Sequence, residues 1–348
     1  MRNARAAHPT RRGILAAGGA IGLGAALAAC GDDDAKSGGS GDGAGTGKSG
    51  PWSFKDDRGT TVKLDSVPKN IVAFTGVAAA LWDYGVQVKG VFGPTTTKDG
   101  KPDVQAGDLD VAKVTLLGNE WGKLNVEKYA SLAPEVLITT TFDTAGTLWS
   151  VPEESKDKVA KLAPSVAVSV FDRQLTQPLQ RMWELAESLG ADMKAKKVTD
   201  AKAAFEKAAA RLRAAAKAKP EIRVLAGSAS ADLFYVSGTN LSVDLEYFKA
   251  LGVNFVEPSE DAKKATGGWF ESLSWENVDK YPADIIIMDD RASTIQPADI
   301  TEGTWKQLPA VKAGQVIARS PEPILSYDKC TPLLDNLAEA IENAKKVG

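Results

Sequence analysis

The sequence predicts an α/β protein built in two lobes, and three observations point that way. Short runs of β-type apolar residues alternate with helical stretches on both sides of the chain's middle. Between Thr176 and Gly190 the apolar spacing turns purely helical and divides those two regions. Finally, LNVEKYASLAPEVLI, starting at Leu124, is echoed by LSWENVDKYPADIII, starting at Leu273. Each runs Leu, two residues, Glu, a Tyr-bearing turn, Pro, an acid and then β-type apolar residues, with one residue of slippage. The echo has two readings: two lobes of similar build, or a helix-Pro-strand pattern common enough to recur locally.

At the start of the chain, Arg11 and Arg12 precede a run of Gly, Ile, Leu and Ala from Gly13 to Ala29, and the run closes on Cys30. A charged start, a short apolar region and small residues before a boundary form a secretory signal rather than a membrane span. The run is shorter than the ~20 residues a bilayer core requires. TRRGIL resembles a twin-arginine export signal, and Leu27-Ala28-Ala29-Cys30 resembles a bacterial lipobox, which makes Cys30 the expected site of lipidation. Residues 1–29 are thus expected as signal and 30–50 as the lipidated Cys and a linker. With eight glycines between 31 and 50, that linker has an r.m.s. span of roughly 25 Å. Its string DGAGTGKS ends like a phosphate-binding loop, but Asp42 stands where the first Gly belongs and no strand precedes it.

The first lobe is expected over 51–174. NIVAFT at 70–75 reads as a buried strand, Val77–Tyr84 as a short helix stopped by Gly85, and VQVKGVFG as a second strand ended by Gly93-Pro94. A helical turn after Asn125 leads through Pro134 to the strand EVLITTT. A polar helix around 153–162 precedes the strand SVAVSV at 165–170. From Thr176, a candidate cap, to Gly190, Leu179, Met182, Trp183, Ala186 and Leu189 recur at helical spacing. A second, Ala-rich helix runs from about Val198 to Ala218 on Phe205, Ala208 and Leu212. The alternation then resumes with IRVLAG, FYVSG, a helix over 243–251, a helix near 272–280, DIIIMD, and VIARS at 316–320. The tail, 331–346, is an amphipathic helix on Leu333, Leu334, Leu337, Ala340 and Ile341.

Composition removes several function classes. The first 29 residues hold four Arg and no acid, so 38 basic residues face 45 acidic ones beyond them, a net charge of −7. That charge leaves no electrostatic footprint for nucleic acid. The single histidine, His8, lies inside the signal. Ser-His and Cys-His catalysis, ordinary zinc sites and His-ligated haem are therefore excluded from the rest of the chain. With Cys30 assigned to the anchor, Cys330 has no partner, and a disulfide framework is excluded.

Four segments, PKNIVAFTGVAAALWDYGVQVKGVFG, LNVEKYASLAPEVLIT, SLSWENVDKYPADIIIM and WKQLPAVKAGQVIA, resemble the ferric-siderophore and cobalamin type of substrate-binding protein for ABC importers. They occur in that family's order and with the lipobox cover most of residues 67–345. The resemblance implies two Rossmann-like α/β lobes joined by one long spanning helix, with the ligand in the cleft between them. The stretch 176–189 is the candidate for that helix, giving expected boundaries of 51–174, 175–195 and 196–348. It also implies a glutamate on each lobe that meets arginines of the permease, at the matching positions Glu127 and Glu276. Ordinary helix-start carboxylates, favoured by the dipole, are the plainer account of those two residues.

Ligands of open α/β sheets sit beyond the carboxyl ends of the strands. The residues so placed are Phe142, Trp149, Arg173, Tyr235, Trp269, Phe270, Arg291 and Tyr327, joined by Trp121 from the loop GNEWGK. Trp82, Trp183 and Trp275 fall on helical stretches and read as core. An aromatic set with two arginines suits a bulky, partly apolar ligand with a few anchored oxygens. A hydroxamate ferric siderophore, ferrioxamine-like, has this character. Its iron is already coordinated, so the protein needs neither a cofactor nor metal ligands of its own. A tris-catecholate complex carries about three negative charges and calls for a denser cationic pocket. Few arginines lie outside the helices, among them Arg58, Arg173, Arg291 and Arg319. The expected protein is an extracytoplasmic, lipid-anchored monomer that hands a ferric siderophore to an ABC permease, and not an enzyme. Cobalamin, haem and ferric citrate are the alternative cargoes. A secreted carboxylate-dependent enzyme is the alternative from another class, with Asp289 and Asp290 as its nearest acids, although adjacent strand residues point to opposite faces.

Overall fold

The structure, a computed structural model, describes residues 50–348. The signal, Cys30 and the linker up to Ser49 lie outside the described residues. Among the described residues no helix is long and apolar enough to cross a membrane.

The chain opens with an antiparallel hairpin, β1 (Trp52–Lys55) and β2 (Thr61–Leu64), whose alternation turns Trp52, Phe54 and Val62 inward. Then come β3 (Ile71–Phe74), α1 (Thr75–Asp83), β4 (Gly90–Phe92), β5 (Thr115–Leu116), α2 (Val126–Ser131), β6 (Val136–Thr141), α3 (Lys156–Leu162) and β7 (Ser165–Ser169). These strands form a parallel sheet in the order β5-β4-β3-β6-β7. β3 and β6 are buried on both faces, which is why they read as unbroken apolar or Thr runs rather than alternations. The chain reverses direction across the sheet between β3 and β6, so the loops after those two strands diverge and leave a crevice.

The second lobe repeats the logic. After α4 (Thr176–Ser188) and α5 (Lys196–Ala218) come β8 (Arg223–Ala229), β9 (Leu233–Ser237), α6 (Val243–Ala250), β10 (Asn254–Phe255), α7 (Glu260–Lys263), β11 (Phe270–Ser274), β12 (Ile285–Asp289), α8 (Gly303–Gln307), α9 (Pro309–Lys312), β13 (Val316–Arg319) and α10 (Tyr327–Asn343). The sheet runs β11-β9-β8-β12-β13, with β10 also on β8. Its reversal falls between β8 and β12. The echoed segments deliver β6 and β12, each next to its sheet's first strand in the chain, β3 and β8. The first enters through an α-helix capped by Asn125, whose side chain accepts from Lys128 N at 2.9 Å, and the second through a 3-10 turn over Trp275–Lys280.

Three expectations differ from the structure. The stretch 270–280 is a strand followed by that 3-10 turn, because Phe270–Ser274 pairs antiparallel with β9 and tertiary pairing outweighs local propensity. And the helix at 176–188 is not the element that runs between the lobes. Its Leu179, Met182 and Leu185 are buried against the first lobe, where Trp52 Nε1 donates to Ser188 Oγ at 3.1 Å and Trp183 packs edge-on against Tyr84. Thr176 is its first helical residue and makes no cap. The spanning element is α5, whose 23 residues extend roughly 35 Å at 1.5 Å per residue. It lies beside α10 and runs in the same direction, as the pairs Phe205–Tyr327, Arg211–Asp335 and Lys219–Glu342 show. The start of α10 is tied to the first lobe: Ser326 Oγ donates to Asp83 Oδ2 at 2.6 Å and Lys329 Nζ to Asp108 Oδ2 at 2.6 Å. The far end of the pair is held on the second lobe by Lys346 Nζ on Asp284, 2.8 Å. Strong amphipathicity marked α4 as a helix covering a sheet; α5, packed mainly against one helix, α10, shows a weaker contrast.

Candidate functional site

A cavity of about 500 Å³ opens where the two reversal points face each other. From the first lobe, Phe142 and Trp149 line it; from the second come Gly227 and Ser228 at the end of β8, Asp289 at the end of β12 and Arg291 after it, Arg319 at the end of β13, Trp269 before β11 and Phe270 at its start, and Pro321 and Glu322. An apolar floor of Phe74, Val77, Val170, Val243 and Leu325 adjoins it.

The aromatic wall is held by backbone devices. Residues 142–150 fold back along β6, with Trp149 N donating to Thr140 O at 2.9 Å and Thr139 Oγ1 to Trp149 O at 2.9 Å. Phe142 then stands 4.5 Å from Trp149 and 6.2 Å from Trp269, ring centroid to ring centroid. Trp269 is presented by Gly267 and Gly268, with φ of 67° and 96°, a left-handed pair that other residues adopt only with strain. The loop is pinned beneath by Lys263, 1% exposed, whose Nζ donates to Glu260 at 2.7 Å and Asn240 at 3.2 Å. Phe270 meets Tyr235 edge to face at 5.1 Å.

The polar side of the cavity is a chain of ion pairs. Arg291 Nη2 contacts Asp289 Oδ2 at 2.6 Å and its Nη1 contacts Glu322 Oε1 at 2.5 Å. Burial disfavours the guanidinium charge, but Asp289 and Glu322 outweigh it and hold the Arg291 pKa above its ordinary value. Glu322 Oε2 accepts from Trp149 Nε1 at 3.2 Å and Gln105 Nε2 at 3.0 Å, so one carboxylate takes donors from both lobes. Arg319, 5% exposed, is clasped by Asp244 at 2.7 and 2.9 Å.

The structure thus brings Phe142, Trp149, Trp269, Phe270 and Arg291 to one cavity. Trp121 lies just behind, its ring 5.9 Å from the Arg291 guanidinium and its buried Nε1 without a partner. Three expected residues stand elsewhere. Arg173 follows β7, an outer strand, and therefore lines a neighbouring polar cavity with Asp57, Arg58 and Asp143. Tyr235 backs the wall through Phe270, its hydroxyl 3.2 Å from Ser230 Oγ. Tyr327 begins α10 and is buried among Trp183 and Phe205, because the helix pair needs an aromatic filler there. Glu322, Arg319 and the serines Ser228, Ser237 and Ser242 were not expected in the site. An acid between two prolines just past a strand end was the available signal for Glu322. Glu127 and Glu276 are both exposed, each in the first turn of its echoed unit. Asp289 faces Arg291 while Asp290 turns away to Ser320, 2.8 Å, so these two acids do not face one cleft.

Comparison with known proteins agrees with this architecture. The chain is 25% identical over 307 residues to the iron(3+)-hydroxamate-binding protein FhuD of Bacillus subtilis, covering 85% of this chain and 87% of that one. It is 97% identical to DesE, a ferric-siderophore receptor protein from Streptomyces coelicolor, whose crystal structure matches with a TM-score of 0.84 over 85% of this chain and 100% of that one. The siderophore periplasmic binding protein from the fuscachelin gene cluster of Thermobifida fusca shares the fold at 21% identity and a TM-score of 0.56, over 79% of this chain and 96% of its own. These relatives are binding proteins, and the alternative of a carboxylate-dependent enzyme is set aside. The family model described as periplasmic binding protein matches residues 72–323, and the chain belongs to that family.

Proposed function

We propose that this protein captures a ferric siderophore of the hydroxamate class, ferrioxamine-like, outside the cytoplasm and delivers it to an ABC importer for iron uptake. The observation that carries the reading is the cavity itself: four aromatic rings on its walls and no arginine without a carboxylate partner. Such walls bury a bulky apolar skeleton, while the remaining N–H groups of Arg291 can donate to hydroxamate oxygens. A ligand that brings its iron fully coordinated requires no metal-binding side chains. The name of the Bacillus subtilis relative, an iron(3+)-hydroxamate-binding protein, supports the same class. Cys30 serves as a lipid anchor, the Gly-rich linker as a tether, and Glu127 and Glu276 as the contacts to the permease, with the protein acting as a monomer.

Haem is the less favoured cargo, since no tyrosine lines the cavity among the described residues. Titration of intrinsic tryptophan fluorescence against ferric trihydroxamates, ferric citrate, cobalamin and haem tests the reading. Quenching by a hydroxamate complex at submicromolar concentration is the expected result. Quenching by cobalamin or haem alone, or by none of the panel, overturns it.

A further inference from the structure

Each guanidinium lining the cavity is already matched by carboxylate. Arg319 is held by both oxygens of the buried Asp244, and Arg291 is shared between Asp289 and Glu322. Asp143 also lines the cavity and makes no ion pair among the described residues; it accepts instead from Thr147 N at 3.0 Å. The lining therefore carries more negative than positive charge. Within it Glu322 holds a special place: its side chain is 11% exposed, and it is gripped by Arg291, Trp149 and Gln105. Its charge is fixed at the wall instead of being free to turn to solvent.

We propose that Glu322 sets the charge selectivity of the cavity, so that cationic iron complexes bind more tightly than neutral ones, and neutral ones more tightly than anionic ones. The inference rests on the siderophore reading and goes beyond it by assigning the discrimination to one residue. A charge held in a partly buried cavity acts through a lower effective dielectric than one on the open surface. Any ligand in a cavity of this size lies within a Debye length of the whole carboxylate set. Replacing Glu322 by Gln removes one negative charge, keeps the side-chain shape and leaves an amide oxygen for Trp149 or Gln105. It also releases part of Arg291's charge toward the ligand.

The test uses the full-length chain and three ferric complexes of one linear trihydroxamate skeleton, whose tail ends in an ammonium, an acetamide or a succinyl carboxylate. The iron centre is the same in all; only the net charge steps from positive through zero to negative. In the wild type, affinity should fall in that order across about tenfold at low salt, and by less at high salt, as Debye screening dictates. Glu322→Gln should compress the span to about two- to threefold, with an unchanged circular-dichroism spectrum and urea midpoint as evidence of an intact fold. Equal wild-type affinities, or an unchanged span in the variant, overturn the assignment while leaving the siderophore reading in place. Failure of all three to bind the wild type overturns that reading too. If Glu322→Gln loses the acetamide complex, Glu322→Asp separates the roles. Recovery of both affinity and span supports the charge, whereas recovery of affinity alone reduces Glu322 to a wall support.

Discussion

The rings of Phe142 and Trp269 meet from opposite lobes, 6.2 Å between centroids, and so close one side of the cavity. Phe142 leaves the end of β6, and Trp269 is held out by the left-handed Gly267-Gly268 pair. Two rings on independent supports make a wall that a bulky ligand can lean on from either side. Replacing either by Ala should weaken binding of a ferric trihydroxamate by about tenfold, or ~1.4 kcal/mol. Trp269→Phe should retain most of the affinity. Isothermal titration calorimetry of the three variants checks this.

Glu127 and Glu276 offer exposed carboxylates at equivalent points of the echoed units. The doubly reversed variant Glu127→Lys, Glu276→Lys should retain ligand affinity and lose iron uptake in cells. A fall in affinity would mean that the pair acts on the cavity rather than on the permease.

Arg319 and Asp244 form a buried ion pair, 5% and 1% exposed at their side chains. Removing one partner strands the other charge away from water. Arg319→Met should therefore destabilise the fold by about 3–5 kcal/mol. Adding Asp244→Leu should restore much of that loss, read from urea denaturation midpoints.

Asp284 links the end of the chain to the second sheet. Burial works against its charge, but hydrogen bonds from Lys346 Nζ and from the backbone N–H groups of Arg223, Gly348 and Val347 outweigh it and bring its pKa down to about 2. A carboxylate with a depressed folded pKa stabilises fully above its unfolded value near ~3.9, and that contribution is lost as the pH falls toward the folded value. The wild type should lose about 2 kcal/mol through this group between about pH 4 and pH 2. Asp284→Asn should show a shallower acid limb in denaturation measured across that window.

The aromatic half of the site was legible because it obeys a local rule. Phe142, Trp149 and Trp269 sit in loops with Gly or polar neighbours and Phe270 opens β11 beside them, at strand ends where large rings have no core to enter. The same rule misplaced Arg173 and Tyr327, since it cannot tell a central strand from an outer one, nor a loop from the first turn of a buried helix. Glu322 escaped it altogether. A lone acid beside prolines looks like solvent-facing loop until Arg291, Trp149 and Gln105 converge on it.

The sequence by itself determined the alternation of strand and helix, the division into two lobes, the near-absence of histidine and the supply of loop aromatics. These follow from periodicity and composition, which are local quantities. Only the tertiary structure decided that α5, beside α10, rather than α4 spans the lobes, because that depends on which surfaces each helix covers. It also decided that Arg291 is paired with a carboxylate 31 residues further on, and Trp149 with the same carboxylate 173 residues away. Strand order sets those distances, and no spacing along the chain encodes strand order.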